Sequence, residues 1–164
     1  MTRWHPIEEA GDELFARATL YHIRSIEVPY PPEQTWAAIT SEDVSRWTKG
    51  VRKVTWTSPR PFGVGTTREV DMVGFKLRER FLRWDDGHRK TFTGVEATVG
   101  IFRHLVEDYV VEPTESGSRL SWRWAAELNP PWSSFKRTLD RYRLGPICRS
   151  HIDGLAGYMT ATNR

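Results

Sequence analysis

The chain has one cysteine, Cys148, in 164 residues. That excludes an internal disulfide and any cysteine-based metal cluster, and it fits a reducing compartment. No apolar run approaches the ~20 residues that cross a bilayer. The opening MTRWHPIEEAGDELF holds no apolar signal-peptide core, so a cytoplasmic protein with no membrane insertion is expected. A dominant charge sign is also missing. The 24 basic residues are interleaved with 21 acidic ones, and without a basic block no nucleic-acid partner is expected. Metal-ligand spacing is absent as well: His5, His22, His88, His104 and His151 are scattered, so neither a metal nor a cofactor is expected. There is no P-loop, HExxH or GxSxG, and GVGTTR (Gly63 to Arg68) places Arg68 where a dinucleotide loop needs its third glycine.

What is present is aromatic. Eight tryptophans and 12% aromatic residues, within 38% hydrophobic residues, describe a globular chain with many large flat side chains to bury. The length suits one domain with a real core. Residues 1–18 read as an N-terminal arm or short helix around Leu14 and Phe15, and residues 19–164 as a single domain.

The stretch IEVPYPPEQTWAAI (Ile26 to Ile39) sets the organisation. Pro31 and Pro32 lack an N–H and fix φ near −65°, so the first strand, from Thr19 to Val28, must stop and a helix can start. Glu33 then favours the N-terminal dipole end, and Trp36 and Ile39 share a face. Ser41 caps a second short helix through Trp47. Strands follow at Val51–Ser58, at TTREVDMVG, and at Phe75–Trp84, where alternation of apolar and charged residues holds until Phe81. Asp85–Gly87 is a hairpin turn, and a long hairpin turns around Pro113–Gly117. In its second arm Leu120, Trp122, Trp124, Ala126 and Leu128 fall on one face, with Ser121, Arg123, Ala125 and Glu127 on the other. Residues 130–164 are helical in period. Trp132, Phe135, Leu139 and Tyr142 form one stripe, Leu144, Ile147, Cys148, His151, Leu155 and Tyr158 another, and a break near Gly145 and Pro146 realigns them. The class is therefore α+β: a curved antiparallel sheet of about seven strands wrapped around a long C-terminal helix, with two short helices after strand one.

VPYPPEQTW (Val28 to Trp36), GVGTTREV (Gly63 to Val70) and VEPTESGSRLSW (Val111 to Trp122) together resemble the START and polyketide-cyclase superfamily. Its helix-grip fold is shared with birch-pollen-allergen-type proteins. The resemblance runs from about Leu20 to Tyr158. It implies a deep, mostly apolar cavity between sheet and C-terminal helix for lipids, sterols, polyketides or other aromatic molecules. It carries over no catalytic residue, because the superfamily has no universal one.

Candidate site residues are polar groups on inward faces. His151 lies between Ile147 and Leu155, either as a hydrogen-bonded core histidine or as a cavity acid/base. Glu79 shares a face with Phe75, Leu77 and Phe81; a buried carboxylate needs a partner, and Arg24 is the candidate by its parity with Ile26 and Val28. Arg103, Glu107 and Tyr109 share parity with Leu105 and Val111, and a register shifted by one would turn them all to solvent. Trp36, Trp122 and Trp124 supply apolar surface, while Tyr142 and Tyr158 offer hydroxyls from the helix. Three functional readings stand: binding of a small hydrophobic molecule, acid/base catalysis of cyclisation, aromatisation or dehydration with His151, Glu79, Arg103 and Tyr109 as catalytic candidates, and a ligand-sensing adaptor. The residues leave the choice between monomer and dimer open.

Overall fold

The structure is a computed structural model and describes residues 2–162. Seven strands form one curled antiparallel sheet: β1 (Leu20–Val28), β2 (Val51–Trp56), β3 (Thr67–Met72), β4 (Phe75–Asp85), β5 (Arg89–Ala97), β6 (Phe102–Thr114) and β7 (Gly117–Leu128). Their order is β1-β7-β6-β5-β4-β3-β2, and the two-residue His5–Pro6 pairs with β5 as a short eighth member. From β2 to β7 every neighbour is joined by a hairpin. Among these seven strands β1 alone pairs out of sequence, because the proline corner carries the chain off the sheet edge.

At that corner Pro31 (φ −63°, ψ 157°) is extended and Pro32 opens the helix Pro32–Ile39. Ser41 Oγ accepts the Asp43 N–H at 3.2 Å and caps the 3-10 helix Glu42–Arg46. Ile39 is fully buried and Trp36 nearly so, and together they close one end of the half-barrel. The alternation of β4 stops at Phe81 because the register with β5 shifts between Phe81 and Arg83, a bulge that re-aims the strand. On β7 the inward set Leu120, Trp122, Trp124, Ala126 and Leu128 is buried.

Ala125, on the opposite face of β7, is buried too. Leu14, in the single helical turn Leu14–Arg17, packs there with Ala10 and Val106. Residues 2–18 thus lie across the outer face of the sheet. Their carboxylates meet its arginines: Asp12 bonds Arg83 at 2.8 Å, Glu8 approaches Arg103 at 3.4 Å, and Glu9 pairs with Arg80. Beneath them Asp108 is fully buried and receives Arg89, Arg123 and Thr91. Burial alone would raise its carboxyl, and those hydrogen bonds more than reverse the effect.

The C-terminal helical arm is long but segmented. It runs as a 3-10 turn (Trp132–Phe135), an α turn (Lys136–Leu139), a π turn (Asp140–Leu144) and an α turn (Gly145–Cys148), then breaks before the helix Leu155–Thr162. The π turn takes up the Gly145–Pro146 irregularity without ending the run. Leu144 and Cys148 from the first part and Ile152, Leu155 and Met159 from the second pack onto the concave face. Trp132, Phe135 and Tyr142 stay exposed, so the first stripe read from the sequence contributes only Leu139 to the core.

The arm is seated by a close backbone approach. A Cβ on Gly154 would lie 2.3 Å from the Trp47 carbonyl oxygen. Gly154→Ala must push the arm away from the residue 42–48 segment, and overpacking of this kind costs about 1–3 kcal/mol. A drop in Tm of about 3–10 °C is expected for a chain of this length; a calorimetric Tm equal to that of the parent would contradict this seating.

Candidate functional site

Between sheet and arm lies a cavity of about 70 Å³, the volume open to the centre of a water molecule. One water needs roughly 10–15 Å³ on this measure, so the space holds several waters or a small organic group. Its apolar lining includes Val54, Val70, Leu77, Phe102 and Leu105 from the sheet, Val44 from the 3-10 helix Glu42–Arg46, and Leu144, Ile147 and Cys148 from the arm. Arg68, Glu79, Glu107, Tyr109 and His151 also reach it.

The strand ladder brings these polar groups together. Arg68 on β3 lies directly opposite Glu79 on β4, and Glu107 and Tyr109 on β6 lie opposite Trp124 and Trp122 on β7. Arg68 Nε donates to Glu79 Oε2 at 2.5 Å, and both side chains are buried. The Arg68 guanidinium also stands 4.4 Å from the Phe92 ring centre. Trp122 Nε1 donates to Glu107 Oε2 at 2.8 Å. The Tyr109 hydroxyl and His151 Nε2 are 2.7 Å apart, and the His151 ring stacks on Trp122 at 4.3 Å between centres.

No cation bonds to Glu107 among the described residues. Burial, and next the charge of Glu79, raises its carboxyl to about 7. His151, 3.9 Å from the same carboxylate, is pushed down to about 3 by burial and by the positive Arg68 and Lys90. It is therefore neutral at pH 7. Tyr109 is held well above its ordinary value, chiefly by burial and then by Glu107. A neutral phenol and a neutral imidazole are thus joined by one hydrogen bond between oxygen and Nε2, and Glu107 beside them changes protonation near neutrality.

Of the residues singled out in the sequence, His151, Glu79, Tyr109, Glu107, Phe75, Trp122, Trp124 and Ile147 line the cavity. Others do not. Arg103 is exposed and faces Glu8, because the β6–β7 register shifts between Phe102 and His104. The bulge puts Phe102 on the inward face in its place, while Leu105, Glu107 and Tyr109 keep theirs. Arg24 does not reach Glu79: β1 is four strands from β4 in the sheet order, roughly 19 Å at about 4.8 Å per strand. It binds Asp153 across the sheet edge instead. Tyr142 points to solvent, 65% exposed. Tyr158 gives its hydroxyl to Asp43 at 3.0 Å. Phe81 and Leu155 are fully buried in packing behind the cavity, and Trp36 donates to Asp86 at 2.9 Å outside it.

Two cations escaped the sequence reading. Arg68 alternates with Val70, and Lys90 with Phe92, which is the only local signal either gave. Lys90 is almost wholly buried, donates to the Ile39 carbonyl at 2.5 Å, and lies 4.7 Å from the Tyr109 ring centre. Burial, then the nearby Arg68, takes its ammonium well below the usual lysine range.

The Glu107 shift has a definite sign. Its folded-state value is raised above the ordinary 4.5, so the stability it contributes is full below that value and is lost as pH rises through about 7. Glu107→Gln keeps an acceptor for Trp122 and removes the charge. The variant should gain Tm over the parent by several degrees at about pH 8 and show little difference at about pH 5; a gap independent of pH would show that Glu107 is not the buried titrating group.

Residues 23–160 match the family described as polyketide cyclase / dehydrase and lipid transport. An uncharacterised protein of Mycobacterium tuberculosis is 33% identical over 129 residues, 77% of either chain. A crystal structure of a Thermus thermophilus protein superposes with a TM-score of 0.70 at 22% identity, covering 88% of this chain and all of that one. A START superfamily protein from Mycobacterium smegmatis does so with a TM-score of 0.63 at 11% identity, over 87% of this chain and 98% of its own. No described helix is long and apolar enough to cross a membrane. With a curled sheet closed over a hollow by a C-terminal helical arm, and with a family match over most of its length, the chain belongs to the polyketide cyclase / dehydrase and lipid transport family.

Proposed function

We propose that the protein binds a small, mostly apolar molecule bearing at least one polar group, in the cavity between sheet and arm. The observation that carries this reading is the composition of the cavity wall. Valine, leucine, isoleucine and aromatic side chains form most of it, and Glu107, Tyr109 and His151 converge on one side. A few convergent polar groups in an enclosed apolar space fix orientation and leave affinity to burial. Trp122, stacked on His151 and bonded to Glu107, stiffens that polar side.

A second reading, cyclisation or dehydration of a poly-β-keto or related chain, is favoured by one observation: a carboxyl held near 7 beside a neutral imidazole. In its ionised form Glu107 takes a proton from the carbon between two carbonyls. The resulting enolate carbon attacks a second carbonyl, whose alkoxide takes a proton from the Tyr109–His151 pair. The new hydroxyl then leaves as water with the proton held on Glu107, while the remaining hydrogen of the attacking carbon passes to the deprotonated Tyr109–His151 pair, so that the double bond forms and both groups return to their starting state. A carboxyl near 7 suits both directions of transfer, and the cavity wall supplies the folded geometry.

Titration of tryptophan fluorescence with a flat one-ring phenol separates the readings. The parent should bind, and Val54→Trp, which fills the cavity, should weaken binding at least about tenfold. Equal affinity in the two proteins would remove the cavity as the binding site. If Glu107→Gln keeps binding while turnover of a poly-β-keto substrate is lost, the enzyme reading holds; binding with no product in parent or variant leaves the carrier.

A further inference from the structure

The first half of the C-terminal arm carries surface the fold does not use. Among the described residues, Trp132, Phe135 and Tyr142 are 41%, 58% and 65% exposed, three of seven large exposed hydrophobic residues in the protein. They fall within eleven residues. Around them stand Lys136, Arg137, Arg141, Arg143 and Arg149 against the single carboxylate Asp140, which His22 already engages at 2.7 Å. Residues 132–149 therefore carry +4, while the rest of the chain, nineteen cations and twenty carboxylates, sums to −1. None of the arm's five cations is ion-paired among the described residues, whereas eleven arginines elsewhere are.

The rim across the cavity repeats the pattern. Lys49, Arg52 and Lys53 are exposed and likewise have no carboxylate partner among the described residues. Gly50 between them packs against Ile147 of the arm, with 3.1 Å from its Cβ position to Ile147 Cγ2. Val73, 57% exposed, donates its N–H to the Gly50 carbonyl at 2.9 Å. The arm's inward residues Leu144, Ile147 and Cys148 line the cavity itself. The cationic, aromatic outer surface and the cavity wall are thus two sides of one element.

We propose that this arm and rim dock on an anionic phospholipid surface, from which the cavity takes its apolar ligand; the loading step rests on the ligand-binding reading given above. Lipid phosphates complement the unpaired cations, each worth roughly fivefold in partition. Aromatic rings settle at the boundary between headgroups and acyl chains. An acidic protein surface answers the charges but gives the three rings no apolar phase to enter. The membrane is also where a molecule that suits an oily cavity is concentrated. The proposal concerns peripheral docking and needs no spanning segment.

The test is co-sedimentation of the full chain with vesicles of phosphatidylcholine alone and of phosphatidylcholine mixed with phosphatidylglycerol. It is run at 0.1 M and 1 M salt, where the screening length falls from about 10 Å to about 3 Å. Binding to the mixed vesicles at low salt and its loss at high salt are expected. The Arg141→Gln/Arg143→Gln double variant should lower partition roughly twenty-five-fold. The Trp132→Ser/Phe135→Ser double variant should lower it about tenfold or more while leaving binding to polyglutamate unchanged. These positions are exposed, and unchanged thermal melts would show that the fold is intact. No binding to the mixed vesicles, equal binding to neutral ones, or a Trp132→Ser/Phe135→Ser variant that binds vesicles like the parent would overturn the proposal, the last favouring an acidic protein surface. Titration of the phenol probe without vesicles separates the two readings. Probe binding without docking removes the docking proposal alone, and docking without probe binding removes the cavity reading and the loading step with it.

Discussion

Glu107 is a carboxylate buried in the concave face of the sheet with no cation bonded to it among the described residues, and the character of the cavity depends on that imbalance. Two cations are near enough to balance it, and both are engaged elsewhere. Arg68 is opposite Glu79 and bonded to it at 2.5 Å; Lys90 gives its hydrogen bond to the Ile39 carbonyl. What remains for Glu107 is the indole N–H of Trp122 and a neutral His151–Tyr109 pair. A buried charge met only by neutral donors is costly, so the proton is retained up to about 7. Burial, and then the same two cations, keep His151 neutral.

The two faces of the sheet treat buried charge in opposite ways. On the outer face Asp108 is as deeply buried as any residue, yet Arg89, Arg123 and Thr91 saturate it, and the N-terminal segment seals the site with Leu14 and further carboxylates. That face is complete. On the inner face one carboxylate is satisfied and the next is not, and open volume lies beside it. An incompletely satisfied polar group next to a cavity is what an incoming ligand can complete, whereas a saturated one only stabilises. The same contrast recurs among the surface cations. Most of those on the strands are paired, and those on the arm have no carboxylate partner among the described residues.

Much of this arrangement was legible along the chain. The period-two pattern from Leu120 to Leu128 placed Trp122 and Trp124 inward, and the Pro31–Pro32 corner placed Trp36 and Ile39 at the end of the half-barrel. Glu107 and Tyr109 were legible only as sharing a face with Leu105 and Val111; that this face turns to the cavity was left open along the chain and is decided by the sheet. The outward turn of Arg103 was not legible, since a bulge at Phe102–His104 leaves no mark on composition. Trp132, Phe135 and Tyr142 formed a regular helical stripe, but successive 3-10, α and π turns change the angle per residue, so the stripe does not stay on one side. Lys90 looked like one more surface cation in a run of polar residues.

Local rules therefore determined the elements: alternation marks a half-buried strand, proline ends it and starts a helix, and the order of elements leaves one arm to cover the sheet. These depend on neighbours within a few residues, which the chain itself displays. Tertiary structure alone decided which charges meet. Glu79 pairs with Arg68 rather than Arg24, and Glu107 with no cation, because strand order sets which side chains stand within about 5 Å of each other, and parity says only which face they share. Ion pairing falls off with that distance while burial does not, so the sequence could place the polar groups in the interior but not assign them partners.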